Sequence, residues 1–217
     1  MATLKSFLLN LFFPIHCLGC GREGFWLCER CLNDLRPQDE QKIQRQKNNL
    51  VIPYLDGVFI AGDYDDPLLA TAIKKFKYNF IAELGKILGR FLTLYWSGQK
   101  NFGKPLAVPI PLSKKRWRWR GFNQAEILAR EFSANFNYDL SLELKRVKHQ
   151  KPQAELSEAE RLNNIQGVFA WTGADLSGRV IILIDDVVTT GATLNEAARI
   201  LKAAGADKIY GLVLAKG

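Results

Sequence analysis

The segment "GRVIILIDDVVTTGAT", residues 178–193, constrains the fold of this chain more than any other. Val180 to Ile184 is an unbroken aliphatic run. A strand with one wet face alternates apolar and polar residues. An unbroken run predicts a strand covered on both faces, the usual state of a parallel sheet. The next segments agree. "ATLNEAARILKAAG" sets Leu194, Ala197, Ala198 and Leu201 on one helical face, with Gly205 as its stop, and "DKIYGLVLAKG" reads as a final strand. Upstream, "DGVFIAGDY" and "PLAVPIP" read as strands, and so does Val168 to Trp171. "PLLATAIKKFKY", "IAELGKILGRFLTLYW" and "GFNQAEILAREFSANF" carry helical spacing, the last with Ala125, Leu128, Ala129 and Phe132 on one face. Strand–helix alternation predicts an α/β fold with a parallel, doubly wound sheet and its ligand at the carboxyl ends of the strands.

That rule directs attention to "DDVVTTGAT". Val188 to Thr193 is expected to be a loop joining the buried strand to a helix, with backbone N–H groups and the helix N-terminus aimed at an anion. Thr189, Thr190 and Thr193 add hydroxyls, and Gly191 lets a phosphate approach the backbone. No G-K-[ST] follows, so this is not a Walker loop. Asp185 and Asp186 repel a phosphate, so something neutral or cationic belongs beside it. A ribose diol, donating to the two carboxylates while the loop holds a 5′-phosphate, answers that need. Magnesium fits the same acids. The plainer alternative is that one acid caps the helix and the other is incidental. A formal net charge of +8 also favours an anionic partner.

All four cysteines fall in "CLGCGREGFWLCERC". Cys17 with Cys20 and Cys28 with Cys31 form two C-x-x-C pairs, the pattern that converges four thiolates on a structural zinc. Two disulfides or a redox pair are the alternatives; disulfides need an oxidising compartment. The apolar start is short, is ended by Pro14 and lacks a small-residue cleavage site, so it is not read as an export signal. Leu4 to Leu11 is expected to be a short amphipathic helix. No run of about twenty apolar residues exists to span a membrane, and the expected location is the cytoplasm. The expected organisation is a helix and zinc module over 1–36, a polar linker over 37–50, and the α/β domain over 51–217.

"SKKRWRWRGFNQ" interleaves Lys114, Lys115, Arg116, Arg118 and Arg120 with Trp117 and Trp119. Cations for phosphates and indoles for bases suit single-stranded nucleic acid, and a merely solvated charge cluster is the bland alternative. "KRVKHQKPQAELSEAER" adds Lys145, Arg146, Lys148, Lys151, Gln153 and Arg161. Glu155 to Arg161 also reads as a surface helix with ordinary charge pairs.

"VIILIDDVVTTGAT" resembles the phosphoribosyl-pyrophosphate motif of type I phosphoribosyltransferases. Together with "CLGC…CERC", "IPYLDGVFIAGDYDD", "KKFKYNF", "VPIPLSKKRWRWRGFNQAEILAR" and "KPQAELSEAERLNNIQGVF", the chain resembles the ComF family of competence-related, phosphoribosyltransferase-like proteins. The resemblance implies a type I phosphoribosyltransferase fold carrying a small four-cysteine zinc module. It implies phosphoribosyl pyrophosphate and magnesium as ligands, with Val188, Thr189, Thr190, Gly191, Ala192 and Thr193 around the 5′-phosphate. Leu112 to Asn123, including Leu112, Ser113 and Arg120, would grip the pyrophosphate through backbone amides and basic side chains. Asp185, Asp186, Arg146 and Arg161 are the implied catalytic residues, with Gln153 completing an "R…Q…R" pattern on a loop that closes over the donor. The chain as read stops soon after its last strand. Cover over the site is therefore expected from Asp56 to Trp96 and the cysteine module. The family's link to natural transformation implies partners among DNA-processing proteins such as a competence helicase. Two readings stay open: a transferase with an unidentified nitrogen acceptor, and a non-catalytic accessory factor binding single-stranded DNA.

Overall fold

In a computed structural model, the structure describes residues 14–35, 50–78, 81–99, 102–147 and 167–217. The expected helix Leu4 to Leu11, most of the polar linker, and Lys148, Lys151, Gln153 and Glu155 to Arg161 lie outside the described residues.

The elements of the described residues, in chain order, are α1 (Glu29–Asp34), β1 (Gly57–Asp63), α2 (Pro67–Tyr78), α3 (Ala82–Ser97), β2 (Leu106–Pro109), α4 (Lys114–Arg120), α5 (Gln124–Phe136), β3 (Asp139–Leu140), β4 (Leu144–Arg146), β5 (Phe169–Trp171), β6 (Val180–Val188), α6 (Ala192–Ala203) and β7 (Lys208–Lys216). The main sheet has five parallel strands in the order β1-β7-β6-β2-β3. β6 lies at its centre, which is why its aliphatic run does not alternate. Ile182 and Ile184 enter one core with α2, α3 and α5; Ile181 and Leu183 enter the other with α6 and the β4–β5 hairpin. All four have no exposure. The helical faces expected for α5 and α6 are the buried ones.

One local expectation is corrected, and two further local structures carry no assignment from the sequence. β6 continues through Val188, pairing Asp185 with Val213 and Val188 with Lys216, so the loop begins at Thr189 and both acids stand in the strand. The basic aromatic tract is a helix. The Ser113 side chain caps it by accepting from the Arg116 N–H at 3.2 Å, and Gly121 ends it at φ 78°. Its amides inside the helix are therefore engaged, with Trp117 N–H donating to the Ser113 carbonyl at 2.8 Å. Finally, "LKR" at 144–146 is a strand, antiparallel to β5, with Arg146 opposite Phe169.

The cysteine module folds on short turns: Cys17 N–H donates to Arg22 O at 2.8 Å and Gly21 N–H to Cys17 O at 2.9 Å. It belongs to the main hydrophobic core, where Cys31 and Leu32 join Leu69, Ile73 and Phe76 of α2. A Cβ on Gly19 would lie 2.7 Å from Cys31 Sγ and 3.2 Å from Leu68 Cδ2, so only glycine fits between the knuckle and α2.

Candidate functional site

The carboxyl ends of β2 and β6 open into a cavity of about 460 Å³, a volume suited to a small molecule. Each wall comes from a different element. β6 supplies Asp185, Asp186 and Val187. The turn and first residues of α6 supply Thr189 and Thr193. The β2–α4 connection gives Ile110, Pro111 and Leu112. α4 gives Arg116, Trp119 and Arg120, β4 gives Arg146, and the end of α2 gives Lys77 and Tyr78. Four cations thus face two carboxylates, among the described residues.

The two acids differ although they are neighbours. Asp186 is 7% exposed, and its Oδ1 lies 2.9 Å from Lys77 Nζ. Asp185 is half-buried, and its Oδ1 accepts the Asp186 N–H at 2.8 Å. Burial first, and the Asp186 charge second, push the Asp185 carboxyl up to about 7, against the pull of Lys77 and Arg116. A cation or a hydroxyl-rich ligand relieves that penalty.

The basic wall is held by aromatic rings. Arg120 is 9% exposed; its Nη1 donates to Gln124 Oε1 at 3.1 Å. Its guanidinium sits 5.6 Å from the centroid of Tyr78 and 5.8 Å from that of Trp119. Its Nε finds no hydrogen-bond partner among the described residues. Burial lowers the proton affinity of Arg120, and Asp186 opposes that. Arg146, 5.5 Å over the Phe169 ring, is lowered by burial and by Arg116. Cations kept partly dry in this way interact strongly with any anion that replaces their water.

Of the expected site residues, Asp185, Asp186, Thr189, Thr193, Leu112, Arg120 and Arg146 meet in this cavity. Ser113 does not line it; its side chain caps α4. Val188 is buried at the strand end. Ala192 opens α6, and its N–H donates to Thr190 Oγ1 at 3.4 Å, so the Thr190 hydroxyl is turned along the chain. Gly191 has φ +86°, and a Cβ there would lie 2.6 Å from Ile52 Cγ2. Its glycine is required by backbone conformation and by packing against residues 50–52. That segment braces the turn: Val51 N–H donates to Thr190 O at 3.0 Å, and Tyr54 N–H to Asn195 Oδ1 at 2.9 Å. Gln153 and Arg161 lie outside the described residues.

Lys77 and Tyr78 line the cavity but are not singled out by the sequence. Both belong to the stretch expected to cover the site, yet nothing in "KKFKY" separates Lys77 from lysines placed to suit the end of a helix.

At the other end of α2, the sulfurs of Cys17, Cys20, Cys28 and Cys31 all lie within 4.8 Å of one another. Cys20 Sγ and Cys28 Sγ are 3.7 Å apart. Tetrahedral zinc with bonds of about 2.3 Å spaces its sulfurs by about 3.8 Å. The four are free thiols. Cys31 is pushed up to about 12, by burial first and then by hydrogen bonds within the cluster. The donor set fits a dication, which would stabilise the thiolates, and the cluster is consistent with a zinc module.

A parallel sheet with two acids at its central strand end, a hydroxyl-bearing turn and a basic opposing wall defines a phosphoribosyltransferase-like domain. Residues 119–217 match the phosphoribosyl transferase domain family. The chain is 32% identical over 205 residues to Competence protein F of Haemophilus influenzae, covering 91% of this chain and 82% of that protein. It is 37% identical over 132 residues to Competence protein ComFC of Bacillus subtilis, covering 61% of this chain and 48% of that one. It is 33% identical over 153 residues to DNA utilization protein YhgH of Escherichia coli, covering 68% and 66%. The chain belongs to the ComF family of competence-related proteins with a phosphoribosyltransferase-like domain. No helix among the described residues is long and apolar enough to cross a membrane.

Proposed function

We propose that this chain binds phosphoribosyl pyrophosphate in the β6 cavity and transfers its phosphoribosyl group to a nitrogen acceptor. The observation that carries the reading is the division of charge: Asp185 and Asp186 on the strand, hydroxyls of Thr189 and Thr193 beside the start of α6, and Arg116, Arg120 and Arg146 opposite. Thr189, Thr193 and the α6 N-terminus hold the 5′-phosphate. Asp185 accepts from the ribose hydroxyls, and Lys77 pairs with Asp186 beside it. The three arginines take the pyrophosphate, and Gln153 and Arg161 join them in the same reading. The C1–O bond breaks with its electron pair leaving on pyrophosphate, the N–C1 bond forms, and the acceptor nitrogen's proton passes to solvent. The arginines stabilise the charge growing on the leaving group, so electrostatics and positioning supply the rate. Magnesium, if bound with the donor, would supply positive charge at the pyrophosphate, and Asp185 would hold it.

Calorimetric titration with phosphoribosyl pyrophosphate, with and without magnesium, tests this. Binding that needs magnesium and vanishes in the Asp185→Asn, Asp186→Asn double variant is the expected result. Binding unchanged in that variant overturns the reading.

A second reading is favoured by α4, whose Trp117 and Trp119 are each 54% exposed among Lys114, Lys115, Arg116 and Arg118. This surface suits single-stranded nucleic acid, and it agrees with the words "DNA utilization" in the name of the Escherichia coli relative. DNA affinity falling steeply with salt supports it; no affinity at low salt removes it. The same proposal gives the cysteine cluster one structural zinc, which elemental analysis measures. It places the chain in the cytoplasm, where free thiols persist, with DNA-processing proteins as partners.

A further inference from the structure

The two acids of β6 already have a cation of their own. Lys77 Nζ lies 2.9 Å from Asp186 Oδ1, and the two side chains are only 16% and 10% exposed. The charge of Lys77 also acts on Asp185. The end of α2 that carries it is held on both sides. Phe76 has no exposure and stacks on Phe122, with ring centroids 5.6 Å apart. Tyr78 packs against Trp119, centroids 5.9 Å apart, and against the Arg120 guanidinium at 5.6 Å. The two residues flanking Lys77 thus fix the point from which its ammonium reaches Asp186.

An oxygen site holds a divalent cation in proportion to the carboxylate charge it offers. Asp185 and Asp186 offer two negative charges, and Lys77 offsets one of them. A bare divalent cation at these acids would meet a like charge at close range after giving up part of its water. A ligand that brings its own phosphate charge changes the balance. It supplies the missing negative charge and gives Lys77 a second partner.

We infer that Lys77 is a specificity-determining residue of the β6 cavity: as resident counter-ion of the acid pair it excludes free divalent cations, so that a metal enters only together with a phosphate-bearing anion. The inference rests on the donor reading above for the choice of a divalent cation as the ion that suits these acids. It concerns the acids before any donor arrives, so the two can be tested apart.

The test titrates the full chain with Mn2+, which takes the oxygen ligands of magnesium and is counted directly by electron paramagnetic resonance. Phosphoribosyl pyrophosphate with magnesium is titrated in parallel. Lys77→Gln keeps an N–H donor toward Asp186 and loses the charge; it is expected to bind Mn2+ roughly tenfold tighter than the unmodified chain. Lys77→Arg keeps the charge and is expected to match the unmodified chain. Adding Asp185→Asn to Lys77→Gln is expected to remove the gain, which separates it from metal bound at the thiols. Equal Mn2+ affinity in Lys77→Gln and the unmodified chain overturns the inference, as does a gain that survives Asp185→Asn or appears equally in Lys77→Arg. The unmodified chain supplies an arm that no folding defect affects: Mn2+ binding without phosphate that is lost in Asp185→Asn also overturns it. A gain confined to Lys77→Gln while the donor fails to bind overturns the donor reading and supports the role of Lys77. Donor binding with no such gain does the reverse.

Discussion

Replacing Asp185 with asparagine is expected to stabilise the free protein while removing its ligand affinity. The Asp185 carboxyl is pushed from an ordinary value near 3.8 up to about 7, by burial and by Asp186. About three units at about 1.4 kcal/mol each give a ceiling of about 4 kcal/mol against the folded state when Asp185 is ionised. Asparagine removes that charge and keeps an oxygen to accept the Asp186 N–H. Its NH2 carries a desolvation cost of about 1–2 kcal/mol. A net gain of about 2 kcal/mol remains, or about 4–8 °C in Tm for a chain of this size. The sign of the pH dependence follows from a raised folded value. The native state of the unmodified chain is favoured at low pH and loses stability as pH rises from about 4 through about 7. The gain is therefore present at pH 8 and gone by about pH 5. Thermal unfolding of both chains at the two pH values measures it. A gain equal at both, or a loss at pH 8, refutes the account of Asp185.

Three further outcomes are expected. Lys77→Met, which leaves Asp186 without its buried partner, should cost about 2–4 kcal/mol in denaturant unfolding. Adding Asp186→Asn to it should recover much of that, and additive costs would dismiss the pair. Gly191→Ala forces a positive φ and a clash with Ile52, and should cost about 2 kcal/mol. Adding Ile52→Ala should restore only the clash component of Tm. Cys31→Ser should reduce zinc content and lower Tm, since Cys31 is packed among the residues of α2; an unchanged Tm with metal absent would make the cluster dispensable.

Local signals in the sequence specify the sheet and point to several residues that line the candidate site. The unbroken run of β6 and the periodic faces of α5 and α6 declare their burial; Asp185 and Asp186 follow from their place at the end of that run, and Thr189 and Thr193 from theirs just beyond it. Lys77 is illegible because its role depends on tertiary pairing with an acid more than a hundred positions away. The helical state of "KKRWRWR" had a local signal, a serine cap three residues before Arg116 and Gly121 as terminator. Arg146 lines the cavity, but its strand is too short to show a period in the sequence.

Helix α2 touches Gly19 and Cys31 of the cysteine cluster at one end and places Lys77 and Tyr78 in the β6 cavity at the other. Twelve helical residues span about 18 Å. Seating α2 is thus a free energy common to two sites. If a metal in the thiol cluster tightens that seating, it strengthens anion binding at β6, and linkage then obliges a bound anion to tighten the metal by the same factor.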